Sequence, residues 1–429
     1  MRTNELKTYI IDKLKAGGAE QASISFTSSE KTELNSASGE MTLLRTNVNE
    51  SVNITAIKDF KKGGISLNKR DKESIDKAIE EVLQLMQVSK PDKALDIAEY
   101  HEKQSRQHLP LEADLDKMYF RMKEFLMEAK KRYPKTILEE VILDFTKRST
   151  LQVNSNGVEN YTEKGFYTVV IMFTTKDGKK TSSFNYISNS RKDLDRPILE
   201  FDSIDRLLAQ SAEQTSSKSI DGKFVGSVIA TPECLGNFVG QITNYISAYP
   251  LITKTSLYQD KLNRKIASNN FTLRSMPLHK DMIGYDFTNE LFIAENLDLV
   301  ENGILKNFIV GLYASNKTGF KKVNNNGGFL VVDKGEKSLE EMIKSTKKGI
   351  LLCRFSGGEP SNNGDFSGVA KNSYYIENGE IQYPISETMI SGNIADMFND
   401  ITDISAERIN SGFSIYPWIK FEGLTISGK

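Results

Sequence analysis

Apolar and polar residues follow two different periods along the chain. In two segments the apolar residues recur every three or four positions, which predicts amphipathic helices with a buried face. Around Val52 and Ile54 apolar and polar residues alternate, which predicts a strand with one buried side. The two helical stripes are Ile75, Ala78, Ile79, Val82, Leu83 and Met86, and then Leu115, Met118, Tyr119, Met122, Phe125, Leu126 and Ala129.

The first half of the chain contains an internal repeat. The lysine-rich turn at 58–63 is matched 118 residues later at 176–181, and Gly39 is matched by Gly157 at the same offset of 118 residues. A helix start at 74–77 is matched at 203–206. We therefore expect an N-terminal α/β domain over 1–217. It is predicted to consist of two helix–antiparallel-sheet–helix units, 1–100 and 110–217, with the polar stretch 88–101 as linker.

The second half is predicted to form a β-rich domain over 218–429, barrel-like or sandwich-like, so that the whole fold is α+β. A buried strand over 222–230 is followed by Thr231 and Pro232, a helix N-cap and first-turn pair. Asn-Gly pairs suit type I′ hairpin turns because both turn residues need positive φ. Such pairs stand at 302–303 and 378–379, and a short closing helix is predicted over Ile394, Met397, Phe398 and Ile401.

Composition excludes several function classes. The net charge of −1 over 429 residues and the lack of a long basic block argue against a nucleic-acid partner. Apolar runs such as 169–173 fall far short of the roughly 20 residues that cross a bilayer, so no membrane role is expected. Two cysteines make no disulfide framework, and the N-terminus lacks a signal-peptide core. A reducing cytoplasm is the expected compartment.

Residues typical of metal or nucleophilic catalysis are sparse. His101 ends the polar linker, and His108 follows seven residues later in the same polar stretch. Both are interpreted as solvated surface, and His279 lies in a loop-like segment. None of the three histidines forms a His-Glu-x-x-His pattern. Cys234 and Cys353 are interpreted as packing residues, because a nucleophilic cysteine needs a basic neighbour.

A glycine-rich loop is the strongest candidate for function. Turn-forming residues accumulate there beyond what packing needs: Gly357, Gly358, Asn363, Gly364, Asp365, Phe366 and Ser367. One interpretation is a long β-hairpin connection. The other is a backbone surface that pairs with an extended peptide at a sheet edge.

Several blocks of the second half together resemble the TldD/PmbA family. They comprise 286–290, Glu301-Asn302-Gly303-Ile304-Leu305-Lys306, 313–319, Gly364-Asp365-Phe366-Ser367, Ile376-Glu377-Asn378-Gly379-Glu380 and Ser391-Gly392-Asn393. The resemblance is strongest from 256 to 403. The family's catalytic members carry His-Glu-x-x-x-His on a helix and a cysteine ligand near the C-terminus.

The resemblance places this chain in the family's PmbA/TldE-like arm, which lacks the zinc motif. The motif positions are held by Gly240, Gln241 and Tyr245, and no cysteine follows Cys353. The resemblance implies a non-catalytic subunit without zinc, which pairs with a TldD-like zinc peptidase to act on unfolded or modified peptides. The expected assembly is a heterodimer with that partner, or a homodimer when the partner is missing. A stand-alone metallopeptidase and a peptide-binding module without proteolytic activity remain as alternatives.

Overall fold

The computed structural model describes residues 3–428 and shows an α+β fold. The first half contains four α-helices and eight strands in the described residues. In chain order they are α1 (Thr3–Ala16), β1 (Gln21–Ala37), β2 (Glu40–Lys58), β3 (Lys61–Leu67), α2 (Lys72–Val88), β4 (Gln104–His108), α3 (Leu115–Arg132), β5 (Thr136–Asn154), β6 (Glu159–Asp177), β7 (Lys180–Thr181), β8 (Asn185–Arg191) and α4 (Ile204–Glu213).

The strands of the first half form one sheet of order β3-β2-β1-β5-β6-β4, with β7 and β8 also paired to β6. The corresponding first strands of the two units, β1 and β5, are antiparallel neighbours at its centre, from Ser23 opposite Asn154 to Ala37 opposite Glu140. Each unit runs helix, antiparallel strands, helix, as the repeat predicts. The turn glycines Gly39 and Gly157 both have positive φ (85° and 92°), a backbone conformation that glycine adopts at little cost.

The second half is rich in strands. Its elements are β9 (Lys223–Ala230), α5 (Pro232–Tyr245), α6 (Ala248–Thr253), β10 (Leu273–Ser275), β11 (Leu297–Glu301), β12 (Ile304–Leu305), α7 (Leu312–Thr318), β13 (Leu330–Val332), α8 (Leu339–Lys344), β14 (Lys348–Leu352), β15 (Arg354–Gly357), β16 (Asp365–Lys371), β17 (Ser373–Glu377), β18 (Glu380–Ile385), β19 (Thr388–Asn393), α9 (Ile394–Asn399), β20 (Ile401–Asn410) and β21 (Ser414–Ser427).

The second sheet is mixed and branched. Its main path runs β12-β11-β10-β13-β21-β9-β14-β17-β18, and β21 also pairs with β19, which leads to β16 and β15. The pairs β9–β14 and β13–β21 are parallel. Both predicted Asn-Gly hairpins are present, since Asn302, Gly303, Asn378 and Gly379 all have positive φ. A single large apolar core joins α5 to this sheet.

Three details of the predicted periodicity are wrong at the ends of elements. Leu115 and Tyr119 of α3 are 47% and 52% exposed, because the buried face of this helix is narrower than the predicted stripe. It consists of Met118, Met122, Phe125, Leu126 and Ala129. Ile401 is buried, but it opens β20 instead of closing α9. In the described range 3–428, no helix combines the length and apolar character needed to cross a membrane.

Polar contacts from residues 101–108, at the end of the predicted linker and just beyond it, join the two halves. His108 Nε2 contacts both carboxylate oxygens of Asp286 at 2.9 and 3.0 Å, and His101 Nε2 lies 3.2 Å from the Leu291 carbonyl. His108 is exposed and His101 partly exposed, in agreement with the interpretation as solvated surface, but each also contacts the second half, which the sequence did not indicate. The segment runs along the second half, where Asp286 and the Leu291 carbonyl are its partners. The pattern of apolar and polar residues does not predict such contacts between distant parts of the chain.

Candidate functional site

Helix α5 supplies one wall of the candidate site. It begins at the N-cap Thr231 with Pro232 in the first turn, where the missing proline N–H costs no helical hydrogen bond. Its apolar face is buried against the second sheet: Cys234, Leu235, Phe238, Val239, Ile242 and Tyr245. Asn237 and Gln241 lie on the side of the helix that lines a cleft.

The opposite wall of this cleft is the end of β15 and the glycine-rich loop. The cleft, hereafter the α5 cleft, has a volume of about 260 Å³. Gln241 Nε2 donates to Glu359 Oε2 at 3.0 Å, and the Tyr245 hydroxyl donates to the Ser361 carbonyl at 2.9 Å. The structure thus brings together the glycine-rich loop and the positions predicted to correspond to the zinc motif, which no pattern in the sequence connects. The structure also places Glu359 at this site. The sequence did not indicate this residue, because the turn-forming residues around it show no periodic pattern of apolar and polar positions.

Aromatic rings form the floor of the α5 cleft. The ring of Phe238 lies 5.2 Å from that of Phe355 and 5.6 Å from that of Phe366, with tilted geometry. The Phe355 ring also covers Gly357 and Gly368 so closely that a Cβ on either glycine would overlap it. Gly358, by contrast, has open space around it. Of the two adjacent glycines, only Gly357 is required by packing.

The far end of the loop is held by a closed set of hydrogen bonds. Asn393 Nδ2 donates to Asp365 Oδ1 at 2.9 Å and to the Asn363 carbonyl at 2.8 Å. Asn363 Nδ2 donates to Asp365 Oδ2 at 2.8 Å. Hydrogen bonds first from Asn393 and then from Asn363 hold the pKa of the Asp365 carboxyl below its usual range. Asn363, Gly364 and Asp365 therefore have a structural role in a turn attached to the start of α9.

The remaining loop residues lie in strands. Ser367 is exposed on β16, opposite Ser391 of β19. Strand β15 pairs with β16 and with no other strand in the described chain. The exposed residues Ser356 and Gly357 thus lie on a strand with one edge that no strand of residues 3–428 occupies.

Neither cysteine is suited to act as a nucleophile. Cys234 and Cys353 are free and buried. Burial raises the pKa of the Cys353 thiol to about 12 and that of Cys234 well above its usual value. Because the thiolate is the reactive form, both side chains stay protonated and serve packing, as predicted.

The residues of α5 do not fit the zinc ion that the resemblance implies for catalytic relatives. Gly240 has no side-chain ligand, and the Gln241 amide already bonds Glu359. Burial, followed by the nearby Glu359 charge, raises the pKa of the Tyr245 phenol, which keeps its proton and donates a hydrogen bond to the Ser361 carbonyl oxygen. Among residues 3–428, no three His, Cys, Asp or Glu side chains are grouped so that they can hold a metal ion.

Comparison with known proteins agrees with this fold and these sequence blocks. Residues 223–428 match the model described as "PmbA/TldA metallopeptidase C-terminal domain", and residues 22–86 match "PmbA/TldA metallopeptidase domain 1". The structure is similar to that of TldE from Thermococcus kodakarensis, with a TM-score of 0.84 and 20% identity over 99% of this chain and 100% of that one. This chain belongs to the PmbA/TldD family.

Two relatives show how the similarity is distributed. The Metalloprotease PmbA of Escherichia coli O157:H7 is 29% identical over 206 residues, which are 46% of this chain and 45% of the relative. The Zinc metalloprotease TldD homolog of Saccharolobus solfataricus is also 29% identical, over 43% of this chain and 45% of the relative. The chain thus spans about half the length of these curated relatives.

Proposed function

We propose that this chain is a PmbA/TldE-like, non-catalytic subunit of a metallopeptidase complex that acts on unfolded or modified peptides. The observation that carries the proposal is the set of side chains at Gly240, Gln241 and Tyr245. A zinc peptidase needs side-chain ligands for the metal and a base that activates water. The three residues supply neither. In this proposal zinc and base both belong to a TldD-like partner subunit.

An open edge of the first sheet supports association with another chain. Strand β3 pairs with β2 only from Val52 to Lys58, so the outer edge of residues 41–51 has no strand partner in the described chain. Leu44 and Val48 on this stretch are 57% and 61% exposed. An unpaired edge strand that exposes apolar side chains can pair with another chain, which favours a dimer with a TldD-like partner, or with a second copy when the partner is missing.

The α5 cleft supports a role in handling peptide. The unpaired edge of β15 presents backbone N–H and C=O groups beside an aromatic floor, an arrangement to which an extended peptide can add as a strand. In the proposed complex Gly357 and Gly358 form part of the surface along which substrate passes. We place the complex in the cytoplasm, which agrees with two unpaired cysteines.

The test is peptidase activity and metal content of the purified chain, alone and mixed with the TldD-like protein of the same genome. We expect no stoichiometric zinc and no cleavage of an unfolded casein substrate by the chain alone, and cleavage by the mixture. Chelator-sensitive cleavage by the chain alone would support the stand-alone metallopeptidase instead. An inactive mixture that forms no complex would support the binding module without a proteolytic partner.

The proposed interface has its own test. The double variant Leu44→Lys, Val48→Lys places two charges on the open edge of β2 and is expected to weaken dimerisation, measured by light scattering after gel filtration. Val88→Lys, at an 81% exposed valine of α2, is the matched control and is expected to leave the oligomeric state unchanged. Equal behaviour of the two variants would place the interface elsewhere.

A further inference from the structure

A second groove lies between the two halves of the molecule, apart from the α5 cleft. One wall is the face of β5 and β6 that carries Arg148, Thr150 and Gln152, and the other is formed by loops of the second half that include Phe329 and Phe413. Its volume is about 340 Å³, and it shares no lining residue with the α5 cleft. We call it the sheet groove.

Arg148 places an unpaired positive charge at this groove. Its side chain is exposed and makes no hydrogen bond or ion pair with any residue that the structure describes. Its charge is felt nearby: the pKa of Lys164 is lowered to about 8, first by burial and further by the charges of Arg148 and Lys192, against the opposing effect of Asp286. A guanidinium is a planar fork of donors that matches a carboxylate.

Gln152 contributes a buried acceptor without a donor. This side chain is 8% exposed, and its Nε2 donates to the Thr288 carbonyl at 3.1 Å. Because a carbonyl can only accept, that bond fixes the amide with its other atom, Oε1, directed away from Thr288. Oε1 is buried and has no hydrogen-bond partner in the described residues. A buried unsatisfied acceptor is uncommon and costly, which indicates that a donor is missing from this position.

The spacing of the two groups limits the ligand. Arg148 and Gln152 lie on the same face of β5, four residues apart, which corresponds to about 13 Å at about 3.3 Å per residue. An extended peptide covers that distance with about four residues. Between the two groups lies the hydroxyl of Thr150, and opposite are the rings of Phe329 and Phe413, with centroids 5.9 Å apart. These rings offer apolar contact to a peptide side chain.

We propose that the sheet groove binds a short extended peptide, with a carboxylate on Arg148 and an N–H donor on the Gln152 side-chain oxygen. The carboxylate is either the peptide's C-terminus or an acidic side chain, since both present the same chemistry to a guanidinium. Binding needs only this chain. The inference therefore goes beyond the proposed function and does not depend on a catalytic partner.

The experiment measures binding of three unlabelled peptide probes to the isolated chain by isothermal titration calorimetry: Ala-Phe-Ala-Ala with a free C-terminus, the same peptide as its C-terminal amide, and Ala-Phe-Ala-Asp amide. Without a dye, the phenylalanine ring remains free to contact Phe329 and Phe413, and the N-terminal amine remains free. Tight binding of the first probe alone identifies a terminal carboxylate, and binding of the third but not the second identifies an acidic side chain. Equal binding of all three, or of none, would overturn the proposal.

Variants decide whether the binding occurs in this groove. Arg148→Gln is expected to lower the affinity for the bound probe about tenfold or more, because it removes a charge-assisted hydrogen bond. Arg148→Lys is expected to restore part of that affinity. Arg264→Gln is the matched control, since Arg264 is also exposed and without a side-chain partner among residues 3–428. Unchanged affinity in Arg148→Gln would refute the groove. Complex formation with a TldD-like partner, measured separately, reports on the proposed function alone.

Discussion

Substituting alanine at the two adjacent glycines of the candidate loop separates packing from flexibility. At Gly357 an added Cβ would meet two ring atoms of Phe355 at 2.6 and 2.7 Å and the Ser367 carbonyl oxygen at 2.7 Å. The ring is held by Phe238 and Phe366, and the carbonyl belongs to the strand beside β15. Neither can move without loss of aromatic packing or strand pairing.

We therefore expect Gly357→Ala to lower the free energy of unfolding of the second half by about 1–3 kcal/mol, the usual cost of overpacking a well-packed core. Trp418 is the chain's single tryptophan, is 6% exposed and lies in β21, so its fluorescence reports this unfolding. At a urea dependence of about 2 kcal/mol per molar, a loss of about 2 kcal/mol moves the midpoint by about 1 M.

Gly358→Ala is the control, because no atom lies within 4 Å of its added Cβ and its φ is not positive. Its urea midpoint is expected to stay near the wild-type value, with at most a small gain from a less flexible unfolded chain. Equal losses in both variants would refute the argument, since they would show that the loop needs glycine for its backbone and not for the space under Phe355.

Two further predictions concern α5 and the region between the halves. Gly240→Ala fills open space inside a helix and is expected to raise stability by about 0.5–1 kcal/mol in the same urea titration; a loss would mean that the position needs glycine. The pKa of Lys164 is about 8 in the folded chain, mainly through burial, and about 10.4 when unfolded. Between these values the unfolded state binds more protons, so stability rises with pH from about 8 to 10.4. Lys164→Met is expected to remove the contribution of Lys164 to this rise in stability, measured as urea midpoints from pH 7 to 10. Identical pH profiles of the variant and the wild type would contradict a lowered pKa of Lys164 in the folded chain.

Local patterns were sufficient for most of the fold. The stripe from Ile75 to Met86 became the buried face of α2, and the Asn-Gly pairs became hairpin turns, because each depends on residues adjacent in sequence. The offset between Gly39 and Gly157 indicated the repeat, and both residues occupy equivalent turns. The exposed Leu115 and Tyr119 were mispredicted since a helix period shows which face is apolar, and not where the neighbouring layer ends.

The sequence alone predicted the elements, the repeated units of the first half and the family, since all of these are properties of order along the chain. The assignment of Gly240, Gln241 and Tyr245 to the zinc-motif positions follows from the family resemblance and stays a prediction. Only the tertiary structure decided that Gln241 meets Glu359 across 118 positions, and that His108 contacts Asp286 across 178. It also decided that Arg148 and Gln152 line a groove without internal partners. Such contacts depend on how distant strands and helices pack together, which local periodicity does not encode.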